Sequence, residues 1–172
     1  MRFMRALPAA SIILIAVSLA GCATRPNQTL LENKAIVLRS EAELWSKGNL
    51  EVADELYGAG FICHFIGGTE WKGIQGLKSE VASHRAIFPD WNERVDDIIA
   101  EGDRVVIRFT SSGTQRGEFA GMAPSGKKVT IHEAAIFRVV GGKIVEQWGF
   151  PDSQSLMQQL MAPAAGKQFS VN

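Results

Sequence analysis

Apolar residues recur at helical spacing in the first half of the chain and at strand spacing in the second half. Between residues 31 and 47 the intervals alternate between four and three, which predicts an amphipathic helix with one buried stripe. A shorter helix is predicted over residues 50–57, and a third helix ends at Pro89. The stripes of the first and third helices comprise Leu31, Ala35, Leu38, Ala42 and Trp45, and Leu77, Val81, His84 and Phe88.

The second half of the chain alternates apolar and polar residues, which is typical of half-buried strands. The sequence "FICHFI", residues 61–66, predicts an additional short strand in the first half. Asp152 is predicted to cap a helix that follows the last strand. The four long strands are predicted to begin at Trp91, Arg104, Val129 and Lys143, and Gly141-Gly142 forms the last turn between them.

Helices that precede an antiparallel meander are an α+β pattern. Long hairpins require a twisted and curled sheet, and three to four helices can close its concave side. We therefore predict a cone-shaped, strongly curved antiparallel sheet that encloses a hydrophobic cavity. The residues expected in the core are Leu38, Leu56, Leu77, Val81, Phe88, Ile107, Phe109, Phe137 and Ile144.

The first 21 residues have the pattern of a secretory signal. Arg2 and Arg5 precede an apolar stretch, residues 9–20, that is shorter than the roughly 20 residues of a membrane span. The sequence "LAGC", residues 19–22, resembles the bacterial lipobox, which implies cleavage before Cys22 and acylation of that residue. An uncleaved N-terminal anchor is the alternative, and either arrangement ties the protein to a membrane.

These features predict an exported lipoprotein with one folded domain. Ala23 stands where an aspartate would retain a lipoprotein in the inner membrane, so the resemblance implies an outer-membrane anchor facing the periplasm. The predicted segments are the signal peptide 1–21, a tether 22–34, the folded domain 35–161 and a flexible tail 162–172.

Charge and cysteine content exclude several classes of protein. Without Arg2 and Arg5 the chain has 16 basic and 18 acidic residues, and no basic stripe indicates nucleic-acid binding. Acylation of Cys22 would leave Cys63 without a disulfide partner, and no cysteine–histidine spacing indicates a metal site. We expect Cys63 to be buried as a small apolar side chain.

The stretches "GTQRGEFAGMAPSGKKV" and "FRVVGGKIVEQW" carry a family resemblance that extends over about residues 35–161. They resemble the SnoaL-like polyketide cyclases, also called the ester cyclase family, which have the nuclear transport factor-like fold. The resemblance implies an α+β cone with a hydrophobic ligand cavity and, in many members, a homodimer. It also implies ring closure of a carbonyl compound by intramolecular aldol condensation, with an aspartate as base and neither metal nor cofactor.

The same resemblance places the family's site on the last two strands. The catalytic aspartate falls at Gly149, its neighbouring polar position at Gln147, and the pocket histidine at Ala135. These three residues are expected to face the cavity, and glycine at position 149 is expected to leave room for a bulkier ligand. The family's base is therefore missing from a chain that is expected to have the family's fold.

Glu133 and His64 are the remaining candidates for acid–base catalysis. Glu133 shares the strand face of Ala135, and a carboxylate in an apolar cavity has a raised pKa and can act as a base. His64 stands where many relatives carry a histidine near the cavity mouth, and histidine titrates near neutral pH. The alternatives are a buried hydrogen-bond partner for Glu133 and a loop-holding role for His64. Trp71 and Trp91 are expected either at the rim of the cavity or in the core.

Three functions are consistent with this pattern. The first is an enzyme that enolises or hydrates a hydrophobic carbonyl compound without a cofactor, with Glu133 or His64 as base. The second is a membrane-tethered protein that binds a hydrophobic small molecule, and the third is a dimerisation module that uses the outer face of the sheet. Glu133 and His64 side chains within hydrogen-bond reach in an open cavity would favour the enzyme.

Overall fold

The computed structural model describes residues 26–66 and 68–163, and the predicted signal peptide, Cys22 and most of the predicted tail lie outside these residues. The described part of the chain consists of four α-helices, one π-helical segment and six strands. In chain order these elements are α1 (Pro26–Arg39), the π-helix (Ser40–Trp45), α2 (Val52–Leu56), β1 (Tyr57–Phe65), β2 (Glu70–Lys72), α3 (Gly73–Ile87), β3 (Asn92–Glu101), β4 (Arg104–Thr114), β5 (Lys128–Val140), β6 (Lys143–Phe150) and α4 (Ser153–Met161).

The six strands form one curved sheet in the order β2-β1-β6-β5-β4-β3. Strands β3 to β6 form the predicted antiparallel meander. β1 pairs with β6 in parallel, because it precedes the meander and joins the sheet beside the last strand. Register shifts within β3 and β6 add local twist, which helps to bend the sheet around its concave face. The predicted α+β class and curved sheet are thus confirmed, with one parallel pair that the pattern did not predict.

The hydrophobic core lies between the concave face of the sheet and the helices. Every predicted core residue except Leu38 is buried. Cys63 is also fully buried, as expected, and forms no disulfide within the described residues; burial raises the pKa of its thiol to about 12. A second, smaller cluster under α4 consists of Phe88, Trp91, Val129, Ile131, Leu156 and Leu160.

The first helical segment buries a face that shares only Trp45 with the predicted stripe, since Leu31, Ala35, Leu38 and Ala42 are exposed. Leu31 and Leu38 are 62% and 41% exposed. The prediction was wrong because the buried face carries polar residues, so that hydrophobic periodicity indicated the opposite stripe. One of these polar residues, Ser40, has its hydroxyl 2.6 Å from that of buried Tyr57. The buried face consists of Asn33, Val37, Ser40, Glu41, Leu44 and Trp45.

The start of the folded part also differs from the expected boundary. α1 begins at Pro26, so residues 26–34 of the predicted tether are helical. Within the described ranges, none of the helices combines the length and the apolar character that a bilayer crossing requires.

One buried side chain organises the loop between β4 and β5. Gln115 is fully buried, and its amide nitrogen donates to the carbonyl oxygens of Gly117 and Met122 at 3.2 and 3.4 Å. Its amide oxygen accepts from the Ser125 hydroxyl at 2.5 Å. These bonds fold the loop back on itself and help to place Phe119 in the wall of the cavity described below.

Candidate active site

A cavity of about 310 Å³ lies between the concave face of the sheet and the helices. Its size and its largely apolar, partly aromatic lining are typical of a small-molecule site. The aromatic part of its wall is formed by Trp45, Phe65, Trp71, Trp91, Phe109, Phe119 and Phe150.

Strands β5 and β6 supply the floor of this cavity. Ala135 lies opposite Gly149 in the ladder between the two strands, and Glu133 lies two residues before Ala135 on the same strand face. All three line the cavity, as does Gln147. The two tryptophans with an expected place at the rim or in the core, Trp71 and Trp91, lie in the cavity wall as well.

The space beside Gly149 is occupied rather than open. A Cβ atom on this glycine would lie 2.7 Å from Cε2 of the Phe65 ring. The expectation that glycine leaves room for a bulkier ligand is therefore wrong, because Phe65 of β1 fills the position that a side chain at 149 would need. An aspartate at this position would require Phe65 to move.

His64 lies on the outer face of the sheet, away from the cavity. Cys63 lies opposite Gln147 and His64 opposite Trp148, so the alternation of β1 turns His64 outward. Its ring stacks on Trp148 at 5.5 Å between centroids, and its two nitrogens lie 3.1 Å from Glu70 and 3.0 Å from Glu146. The hydrogen bond with Glu146, and then that with Glu70, raises the pKa of His64.

The predicted pair of Glu133 and His64 is therefore not formed, because the sheet separates the two side chains. His64 instead connects β1, β2 and β6, which corresponds to its alternative, structural interpretation.

Glu133 faces the cavity with an unused acceptor. Its Oε1 is closed off from solvent and accepts no hydrogen bond in the described part of the chain, although the buried and likewise unpartnered Ser111 hydroxyl lies near enough to favour the ionised form of Glu133. Burial, and then the negative charge of Glu93, raises the pKa of Glu133 to about 8. A carboxyl group in this state exchanges protons near neutral pH.

Two further carboxyl groups, Glu41 and Glu93, lie in the same cavity. Burial raises the pKa of Glu41 to about 7, and burial together with the charge of Glu41 raises the pKa of Glu93 well above its ordinary value. The direct interaction between the two groups contributes to these shifts, so the pair retains a proton near neutral pH. Glu41 comes from the π-helix and Glu93 from the start of β3.

The contact between these two elements fixes the position of Glu93. The backbone N–H of Glu93 donates to the Ser46 hydroxyl at 2.9 Å, and this hydroxyl donates to the Glu93 carbonyl oxygen at 3.3 Å. The indole N–H of Trp91 donates to Glu93 Oε1 at 2.9 Å. The other oxygen, Oε2, lacks a partner among the described residues.

His84 of α3 is the only histidine among the described residues that line the cavity. Its ring packs against Trp91 at 4.5 Å and Trp45 at 6.2 Å between centroids. Burial, and then the neighbouring Arg85, lowers the pKa of His84 to about 4, so the imidazole is neutral at pH 7.

Glu41 and Glu93 were missed by the sequence analysis, although their neighbours carried a signal. Glu93 alternates with Trp91 and Val95, which places it on an apolar strand face. Glu41 lies four residues after Val37 and three before Leu44, which places it on an apolar helix face. A glutamate within an otherwise apolar face is the pattern that could have identified both.

The arrangement is suited to proton transfer in an apolar environment. Glu133 can accept or release a proton, the pair Glu41–Glu93 holds another, and Gln147 can donate a hydrogen bond to an oxygen atom. Within the described ranges, His, Cys, Asp and Glu residues form no group of three arranged to hold a metal ion.

Comparison with known proteins agrees with the fold. A protein of Jannaschia sp. CCS1 assigned as a SnoaL-like polyketide cyclase is 29% identical and covers 78% of this chain and 94% of its own, with a TM-score of 0.72. IdmH of Streptomyces antibioticus, assigned as a polyketide cyclase, is 28% identical and covers 76% of this chain and 99% of its own, with a TM-score of 0.68.

A protein of Catenulispora acidiphila with a ketosteroid isomerase-like fold shares the architecture, with 20% identity, coverage of 74% of this chain and 93% of its own, and a TM-score of 0.64. No curated protein matches the chain significantly. The sequence profile described as SnoaL-like polyketide cyclase matches residues 35–160, which is most of the chain. This protein therefore belongs to the SnoaL-like polyketide cyclase family.

Proposed function

We propose that this protein is an enzyme that transfers protons next to the carbonyl group of a hydrophobic small molecule, with Glu133 as the base. Membership of the family supports a carbonyl substrate. The observation that carries the proposal is the unpartnered Oε1 of Glu133 in the wall of an aromatic cavity, beside the Ala135 and Gly149 positions where the family's own polar residues fall.

In the proposed step, ionised Glu133 removes a proton from the carbon next to the carbonyl group. The electron pair of the broken C–H bond forms a C=C bond, and the carbonyl oxygen takes the proton held by Glu41 and Glu93. The product is an enol, and the Gln147 amide can donate a hydrogen bond to its oxygen. Reprotonation at another carbon gives an isomer. Attack of the enol carbon on a second carbonyl group of the same molecule closes a ring.

The experiment measures exchange of α-hydrogens of a hydrophobic cyclic ketone for deuterium by NMR in D₂O. Glu133→Gln should slow the exchange by roughly 10²–10⁴-fold while ligand binding is retained, because a general base contributes about that much. The wild-type rate should rise with pH up to about 8, the pKa of Glu133. Glu101→Gln, at an exposed position of β3, is the matched control and should leave the rate unchanged.

A non-catalytic, ligand-binding protein is the second candidate. It is favoured by Phe65, which occupies the space of the family's aspartate, and by His64, which lies outside the cavity. Binding of the ketone without exchange in the wild type would support this candidate. Exchange that survives in Glu133→Gln would place the base elsewhere and contradict the role proposed for Glu133.

A further inference from the structure

The charges around the cavity are of one sign. Four glutamates, Glu41, Glu80, Glu93 and Glu133, are among the described residues that line it, and no lysine or arginine is. Buried carboxylates are costly unless a positive charge or hydrogen-bond donors compensate them. In this cavity the carboxyl groups either keep their protons, which is what the raised pKa values of Glu41, Glu93 and Glu133 correspond to, or take the compensating charge from a ligand.

The hydrogen-bonding groups show the same imbalance. Oε1 of Gln147 is a buried acceptor without a donor in the described part of the chain, and Oε1 of Glu133 has only the Ser111 hydroxyl near it. Glu41 and Glu93 have unpartnered oxygens as well, which only the proton held by the pair can serve. Glu41 and Gln147 are only 3% and 7% exposed, so these oxygens are turned to the cavity rather than to the outer surface. Such acceptors are satisfied by a ligand group that carries several N–H donors.

The aromatic walls suit the same kind of group. Trp45 lies 6.1 Å from Trp71 between ring centroids, and His84 bridges Trp45 and Trp91 at 6.2 and 4.5 Å. Tryptophan faces attract organic cations, most strongly where water is excluded. A strongly hydrated metal ion gains less from such walls than an alkylammonium group does.

We propose that the cavity recognises the protonated amine of a hydrophobic small molecule, held among the Glu41, Glu93 and Glu133 carboxylates and the Trp45 and Trp91 rings. The inference rests on the proposed function and specifies its substrate as a carbonyl compound that carries a basic amine.

Binding of such a ligand would also prepare the base. The pKa of Glu133 is raised by burial and by the charge of Glu93, so much of this group is protonated at pH 7 without ligand. An ammonium group nearby favours the ionised form. The ligand would therefore displace protons from the cluster and convert Glu133 into the carboxylate that abstracts a proton from carbon.

The test compares two ligands of the same shape by isothermal titration calorimetry at pH 7. These are 4-phenylbutylamine, which is charged, and 4-phenylbutan-1-ol, which is neutral. The amine should bind the wild type roughly 10-fold or more tightly than the alcohol, because N–H donors on a charged group form stronger hydrogen bonds than a neutral hydroxyl does. Titrations in two buffers of different ionisation enthalpy should show proton release with the amine and none with the alcohol.

Glu93→Gln should remove most of the preference for the amine and leave alcohol binding within about twofold, whereas Glu101→Gln should change neither. Retained alcohol binding shows that the Glu93→Gln variant is folded. If this variant does not fold, Glu41→Gln is used in its place. Equal affinity of the wild type for the two ligands, or an amine that does not bind, would overturn the inference.

The two proposals fail separately. Glu133-dependent deuterium exchange of a neutral ketone, together with equal binding of amine and alcohol, would contradict the amine and leave the proposed reaction standing. A clear preference for the amine, without exchange of either a ketone or an aminoketone, would contradict the reaction and leave the amine site standing.

Discussion

Glu133 retains in the folded protein a proton that the unfolded chain releases at much lower pH. Its pKa is about 8 in the cavity and 4.5 in its ordinary state. Between these values the folded state binds more protons than the unfolded state, so the free energy of unfolding falls as the pH rises through this window. The stabilising contribution is fully present below pH 4.5 and is lost above about pH 8.

Glu133→Gln should therefore change the pH dependence of stability. Relative to the wild type, the variant should become more stable as the pH rises from 5 to 9, by up to about 1.4 kcal/mol per pH unit. Urea unfolding at several pH values measures this difference. A difference that stays constant over the range would show that Glu133 has an ordinary pKa in the folded protein. Burial lowers the pKa of His84 to about 4, so the folded state binds fewer protons than the unfolded state between about pH 4 and 6.5. This group therefore makes the free energy of unfolding rise with pH in that range.

Only some residues of the site could be predicted from the sequence. Ala135, Gln147 and Gly149 were placed by the family resemblance, and the alternation of the two strands on either side of the glycine turn is consistent with their common face. Phe61, Cys63 and Phe65 are apolar and alternate with His64, so strand alternation favours the outer face for His64. The prediction of a cavity position rested on the position of histidine in relatives and was wrong. Polar residues that face an apolar cavity are invisible to a method that assigns burial by hydrophobicity.

At the scale of elements, the exposed and buried faces of the first helical segment should respond differently to truncation. Leu44 is fully buried, whereas Leu38 is 41% exposed. Leu44→Ala should lower the free energy of unfolding by about 2–5 kcal/mol, which is usual for a buried leucine. Leu38→Ala should change it by less than about 1 kcal/mol.

Urea unfolding of the two variants measures both values, and each serves as the control for the other. A larger loss for Leu38→Ala would restore the originally predicted stripe and contradict the orientation described here.

Element types and order were predicted well, and boundaries less well. The strands that follow residue 91 were identified because their alternation is regular and their turns contain glycine. The strand that was predicted to begin at Arg104 ends, as β4, at Thr114, because Gln115 diverts the chain into a loop held by its own side chain. β2 has no counterpart among the predicted strands, since three residues are too few for a period to be visible.

At the scale of the whole molecule, the acylation proposed at Cys22 would determine how close the cavity lies to the membrane. α1 begins at Pro26, only four residues after Cys22, so an acylated cysteine would hold the folded domain against the membrane. Cys22→Ser should abolish labelling of the protein by an alkyne fatty acid and should prevent removal of the first 21 residues.

Labelling is followed by in-gel fluorescence and cleavage by intact mass. The wild type should carry the label and lack the signal peptide. Label retained in Cys22→Ser would contradict acylation at this residue. Anchoring in the outer membrane and formation of a homodimer stay predictions.

The overall architecture followed from the order of the helical and strand patterns together with the family resemblance. The parallel pairing of β1 with β6 did not, because pairing between segments some eighty residues apart leaves no mark in either segment. The composition of the cavity depends on this pairing, since it brings Phe65 next to Gly149.

The contact between Phe65 and Gly149 also constrains how this lineage can change. An aspartate introduced at position 149 would meet the Phe65 ring, so the substitution is unfavourable unless that ring moves or a smaller residue replaces Phe65. The smaller residue alone would leave a void beside the glycine, which is itself destabilising. The two positions are therefore expected to be epistatic, so that an aspartate at position 149 is tolerated better together with a smaller residue at position 65 than alone.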